Sequence, residues 1–171
     1  IGGVVPGAGD TAIFPSAGTV VQPSLTANVS VGGVTIDNSG ADYNLGGSSF
    51  TLTVGSGGVA VSSPTSTTAS TSTVSAKLAL SANGVYSAAS NTGLTTLNVT
   101  GTVNLSTFTL SSAGTGNVTL AGIVGGTGGV TAAGTGTTLL NKANTFSGGV
   151  IVNSGTVQAA SNAAALGTGA V

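Results

Sequence analysis

The chain contains no Cys, His, Arg, Glu, Met or Trp, and five of its 171 residues carry a formal charge: Asp10, Asp37, Asp42, Lys77 and Lys142. Soluble domains are about a quarter charged. Each absence closes a class of chemistry. Without His there is no Ser-His-Asp triad. Without His and Cys there is no zinc site, and without Cys no disulfide. Net charge is −1, and two Lys cannot supply the phosphate footprint of a nucleic-acid binder.

Glycoside hydrolysis takes paired carboxylates a few ångströms apart, and a lyase wants a base near its acid. Only three Asp are present, and Asp37 and Asp42 flank a predicted turn at Asn38–Ser39–Gly40, where Asp is a favoured turn residue. A Ca²⁺ site built from Asp37, Asp42 and carbonyls falls short of the usual carboxylate density. Lys77 and Lys142 read as solubility and edge protection near strand ends. The expectation is a non-enzymatic chain with no catalytic residue, no cofactor and no metal. Asn28, Asn98, Asn104 and Asn117 each begin an Asn-x-Ser/Thr triplet, which composition this rich in Asn, Ser and Thr produces incidentally.

No apolar run approaches the roughly 18 residues of a membrane helix, so no membrane insertion is expected of this segment. Mean hydropathy is +0.51, the opposite of a disordered chain. The length predicts one domain over 1–171. The start at Ile1, without a Met or a basic leader, predicts a processed protein or a piece of a longer one.

What is present is Gly (30 residues), Thr, Ser, Val and Ala. Gly interrupts every window of helical length, so helices are not expected; Ala159–Leu166 allows a turn of helix at most. Short runs of alternating β-branched residues predict strands. They are Thr19–Val21, Val29–Val31, Val34–Ile36, Phe50–Val54, Val59–Val61, Leu78–Leu80, Leu94–Val99, Val103–Leu105, Phe108–Leu110, Val118–Leu120, Val150–Val152 and Thr156–Gln158. The Ser/Thr-rich stretch 62–75 reads as an outer strand or a loop. Strands this short, with Asn83–Gly84 the lone Asn-Gly hairpin dipeptide, favour a solenoid over a sandwich or barrel. The fold class expected is all-β, a right-handed parallel β-helix. At about 20 residues per turn it would make roughly eight turns.

The last third, 125–171, carries a more specific pattern: Gly128–Gly129–Val130, Gly134, Gly136–Thr137, Leu139–Leu140, Asn144–Thr145–Phe146, Gly148–Gly149, Gly155–Thr156–Val157 and Ala165–Leu166–Gly167–Thr168–Gly169. In this order the motifs resemble the autotransporter-associated β-strand repeat, also called the passenger-associated transport repeat. The opening Pro6–Phe14 segment resembles the start of many such proteins. The resemblance implies a secreted or surface-exposed β-helix and no particular activity. Val150 stands where the repeat usually has Thr, and no membrane-anchoring barrel lies within these residues.

From the residues themselves, Leu139, Phe146, Val150, Val152 and Val157 are the expected core anchors. Gly148, Gly149 and Gly155 are expected corners. Asn144 and Asn153 are expected turn residues whose amides bond adjacent coils. Apolar residues at both ends, Ile1, Val4, Val5, Leu166 and Val171, are candidate subunit contacts.

The leading functional expectation is an extracellular or cell-surface structural subunit. It would assemble head to tail with itself into a filament, sheath or surface layer, because an open solenoid leaves strand edges at both ends. The alternative is the passenger or stalk of a large adhesin touching glycans or another surface. Ice binding is a third class, since flat Thr arrays order water, but Thr spacing along the chain is irregular outside Thr65–Thr73.

Overall fold

The structure, a computed structural model, describes residues 6–19, 22–90, 95–160 and 162–171. Among them there is no α-helix. The strands are β1 (Thr11–Phe14), β2 (Val29–Asp37), β3 (Asn44–Leu45), β4 (Thr51–Ser63), β5 (Ser70–Val74), β6 (Lys77–Leu80), β7 (Gly84–Ser90) and β8 (Thr95–Val99). They continue with β9 (Val103–Asn104), β10 (Leu110–Ala113), β11 (Asn117–Leu120), β12 (Val124–Gly125), β13 (Val130–Ala132), β14 (Thr137–Leu140), β15 (Val150–Val152) and β16 (Thr156–Ala159).

Every pairing between these strands is parallel. Parallel neighbours that are one coil apart in sequence define a β-solenoid. Ten strands form one sheet and six form the other. The larger sheet is itself two columns. The first holds the N-terminal parts of β2 and β4, then β6, β9 and β12. The second holds β1, the C-terminal parts of β2 and β4, then β7, β10, β13 and β15. The third column is the six-stranded sheet β3-β5-β8-β11-β14-β16. β2 and β4 turn the corner between the first two columns without breaking, at a register shift between Val31 and Gly33. That corner is tight: a Cβ on Gly33 would lie 3.0 Å from the Gly57 Cα of the next coil.

The alternation that predicts strands also sets what lies inside. One apolar cluster runs from Val31 to Val150, filled by Val, Leu, Ile36, Tyr86 and Phe146. Several expected strands fuse in the structure: Val29–Val31 with Val34–Ile36 as β2, and Phe50–Val54 with Val59–Val61 as β4. Phe108 sits in a turn closed by its N–H to the Leu105 carbonyl, so the strand there begins at Leu110. Stretch 62–75 is both of its readings: β4 ends at Ser63, and β5 starts at Ser70 after a loop. Residues 163–166 form a hydrogen-bonded turn and no helix. Of the expected strands, Val20, Val21 and Leu94 lie outside the described residues.

The expected eight turns are too many. Thr11 stacks on Gly33, Gly33 on Gly58, Val59 on Tyr86 and Gly84 on Leu110, so early coils consume 22 to 27 residues each. Only from Leu110 onward does the stacking settle to 20, with Leu110 on Val130 and Val130 on Val150. The coils that pass through all three columns are β2–β3, β4–β5, β6–β8, β9–β11 and β12–β14, and β1 and β15–β16 add strands at the two ends.

Candidate functional site

The three carboxylates are dispersed and each holds backbone. Asp10 Oδ2 accepts the Gly7 N–H at 2.8 Å. Asp37 Oδ1 accepts the Ser39 N–H at 3.0 Å, closing the expected turn. Asp42 Oδ1 accepts the Thr71 N–H of the next coil at 2.8 Å. Among the described residues no group of three acids, His or Cys could hold a metal ion. Among the described residues, no helix is long and apolar enough to cross a membrane. A shallow cleft of about 250 Å³ is lined by Ser62, Pro64, Ala89, Ser90 and Thr115, with no ionisable group in its wall.

The expected anchors divide. Phe146 and Val150 are buried, and Val157 is half-buried against the core. Leu139 is not an anchor. It faces outward, and Leu140 and Thr138 point inward in its place. Side chains alternate along a strand, so reading the strand one residue out of phase swaps the buried and exposed sets. Val152 is 51% exposed. It stacks on buried Ala132, an inward position, yet its outer side is left exposed among the described residues.

The expected corners are corners. Gly149 and Gly155 have φ of +82° and +72°, the left-handed region that favours Gly. A Cβ on Gly148 would lie 2.5 Å from the Gly128 carbonyl carbon. Asn144 is buried and links three coils. Its Oδ1 accepts the Val124 N–H at 2.8 Å, and its Nδ2 donates to the Ala165 carbonyl at 2.6 Å. Asn153 also sits at a corner but is exposed, and it bonds the coil below through its backbone N–H to the Ala132 carbonyl.

Other inter-coil amides were missed as structural. Asn28, Asn83 and Asn117 each accept, through Oδ1, the N–H of the stacked residue one coil on: Thr51, Thr109 and Thr137. Two of the three open Asn-x-Ser/Thr triplets, yet their amide oxygens serve the backbone. Their signal in the sequence is position, just ahead of or at the start of a strand.

The two ends differ. At the first coil, Phe14 packs edge-on against Tyr43 with ring centroids 5.7 Å apart, and the Tyr43 hydroxyl donates to the Pro15 carbonyl. Ile13 on the outer side of β1 is 70% exposed. Of the candidate subunit contacts, Ile1, Val4 and Val5 lie outside the described residues. At the other end, residues 164–170 lie over part of the last coil. Asn144 N–H donates to the Ala164 carbonyl, Thr168 N–H to the Phe146 carbonyl, and Val150 N–H to the Ala170 carbonyl. Leu166 is half-buried against its own chain's core, whereas Val171 is 76% exposed. This cover reaches the first column and its corner only. Val152 and Ala159, both at inward-facing positions, remain exposed.

The third column presents two outward ladders. Its register stacks Thr71, Thr96, Asn117, Thr137 and Thr156. Two residues along, it stacks Asn44, Thr73, Asn98, Thr119, Leu139 and Gln158. None of the five charges and none of the six aromatic residues belongs to these strands.

Comparison with known protein families, curated proteins and solved structures finds no match.

Proposed function

We propose that the chain is a non-enzymatic structural subunit, exposed outside the cell, whose solenoid stacks end to end on further copies into a filament, sheath or surface layer. The observation that carries this reading is that Val152 and Ala159, stacked on buried Ala132 and Leu140 at interior positions, are themselves exposed. β16 and the distal part of β15 leave their outer edges without a strand, and such an edge is a template for another strand. The β1 edge of a second copy offers the complementary element, with Ala12 and Phe14 on its inward side. A contact between unlike ends does not close on itself, so it propagates. A net charge of −1 gives little repulsion between copies. Extracellular placement draws on the resemblance of 125–171 to the autotransporter-associated repeat. The same resemblance favours a second reading, in which these regular coils are a stalk segment of a larger adhesin.

The test is electron microscopy with sedimentation velocity on the purified protein across a wide concentration range. Filaments are expected, and Val152→Asp should abolish them while leaving a folded monomer. A wild-type protein that stays strictly monomeric at high concentration would refute end-to-end assembly.

A further inference from the structure

We propose that the outer surface of the third column binds ice. The inference is independent of end-to-end assembly and rests on a different surface. In linear sequence the Thr residues look irregularly spaced, because the coils differ in length. The register removes that irregularity, bringing Thr71, Thr96, Asn117, Thr137 and Thr156 into one row and Asn44, Thr73, Asn98, Thr119, Leu139 and Gln158 into the next.

The rows form a two-dimensional lattice. Neighbouring strands repeat at about 4.8 Å, and side chains on the same face of a strand repeat at about 6.7 Å. The sheet that carries them is uninterrupted: no register shift occurs in its strand pairings, whereas the β2–β4 pairing of the other sheet has one. Thr is stiff at its first side-chain torsion, so each hydroxyl and methyl is held in a fixed relation to the backbone. First-shell waters bridging neighbouring polar groups on such a grid are held by direct hydrogen bonds at small entropic cost. The ordered layer inherits the repeat of the protein.

Two exclusions favour crystalline water over a glycan. An ammonium is a strongly hydrated point charge that orients water around itself; here Lys77 lies in the first column and Lys142 in a loop beyond β14, so no cation interrupts the grid. Amphipathic aromatic rings are the side chains that bring broad contact area and a polar handle together, and the third column has none. What remains is a neutral surface of hydroxyl and amide groups at regular intervals, with Leu139 the one apolar side chain among them.

The test is freezing hysteresis, ice-crystal shaping and recrystallisation inhibition on the purified protein. Wild type is expected to shape crystals and to open a measurable gap between melting and freezing points. Thr96→Tyr and Thr119→Tyr, each in the middle of the grid, should lose that gap with an unchanged thermal unfolding midpoint. Val85→Tyr, on the outer side of the second column, should keep it. The proposal is overturned if wild type shows no hysteresis and no recrystallisation inhibition. It is equally overturned if either folded grid variant retains full activity, or if the protein adsorbs to microcrystalline cellulose or chitin and not to ice.

Discussion

Before Leu110, successive coils differ in length: Thr11 stacks on Gly33, Gly33 on Gly58 and Val59 on Tyr86, steps of 22, 25 and 27 residues. After it the step settles to 20 residues: Leu110 stacks on Val130, Leu120 on Leu140 and Val130 on Val150. Buried hydroxyls find partners in the early coils too, as Ser70 does in Thr95, but the buried groups left without one follow the same division. Among the described residues, the buried side-chain atoms left without a partner are those of Asn38, Ser39, Ser63 and Tyr86, all in the early coils. In the later coils the Ser112 and Thr138 hydroxyls bond each other, and Asn144 uses both ends of its amide. Equal coil length is the physical cause. When every coil returns the chain to the same place, a polar group that finds a partner once finds it at each repeat. When coil lengths vary, each layer must be solved separately, and an unpaired buried group costs about 1–3 kcal/mol.

The largest effect that tests this division is at the aromatic anchors. Phe146 is fully buried in the regular region, and its carbonyl also accepts the Thr168 N–H. Phe146→Ala should cost about 3–5 kcal/mol in denaturant unfolding. Phe14 is only half-buried at the first coil, so Phe14→Ala should cost about half as much, in proportion to the area withdrawn from water. Equal losses at the two sites would break the comparison, because they would mean that the first coil is packed as tightly as the last.

A smaller effect separates the inter-coil amides. Asn144→Ala removes the acceptor for the buried Val124 N–H and the donor for the Ala165 carbonyl. The expected loss is about 1–3 kcal/mol, the penalty for stranding buried backbone groups. Asn83→Ala removes a comparable bond to the Thr109 N–H, but at an exposed corner where water replaces it. Its cost should stay below about 1 kcal/mol. Thermal unfolding of the two variants side by side decides whether the regular coils depend more on their side-chain bridges.

The sequence shows this division only in part. Strand composition and Gly-bounded turns make the parallel solenoid legible, and Phe146, Val150, Gly149 and Gly155 sit where residue chemistry places them. Coil length is not legible before Leu110. There the corners vary from the unbroken Gly-rich bend of β4 to the Pro64-containing loop that precedes β5, and no single spacing recurs. Phase within a strand fails where two apolar residues adjoin. Leu139 and Leu140 are identical in chemistry, and only the backbone path decides which is inside. Val152 fails for another reason: its position is inward, but burial also needs a coil above it. The outer Thr/Asn grid is invisible in linear spacing because it exists only once the register is known.

The smallest expected effect has the opposite sign. Tyr86 is fully buried, and its hydroxyl has no hydrogen-bond partner. Burial pushes its pKa well above the ordinary 10.0, because the interior disfavours the phenolate. Below pH 10.0 the phenol is neutral in both folded and unfolded chains, and its ionisation has no bearing on stability. Above it, the unfolded chain ionises while the folded one resists, so stability falls as pH rises. Tyr86→Phe removes both the stranded hydroxyl and the ionisation. At neutral pH it should be neutral or stabilising by about 1 kcal/mol, and it should move the onset of alkaline unfolding to higher pH. The measurement is a pair of pH-dependent thermal melts. A variant that is destabilised at neutral pH would show that the hydroxyl is satisfied, and the unequal coils would then be as well solved as the equal ones.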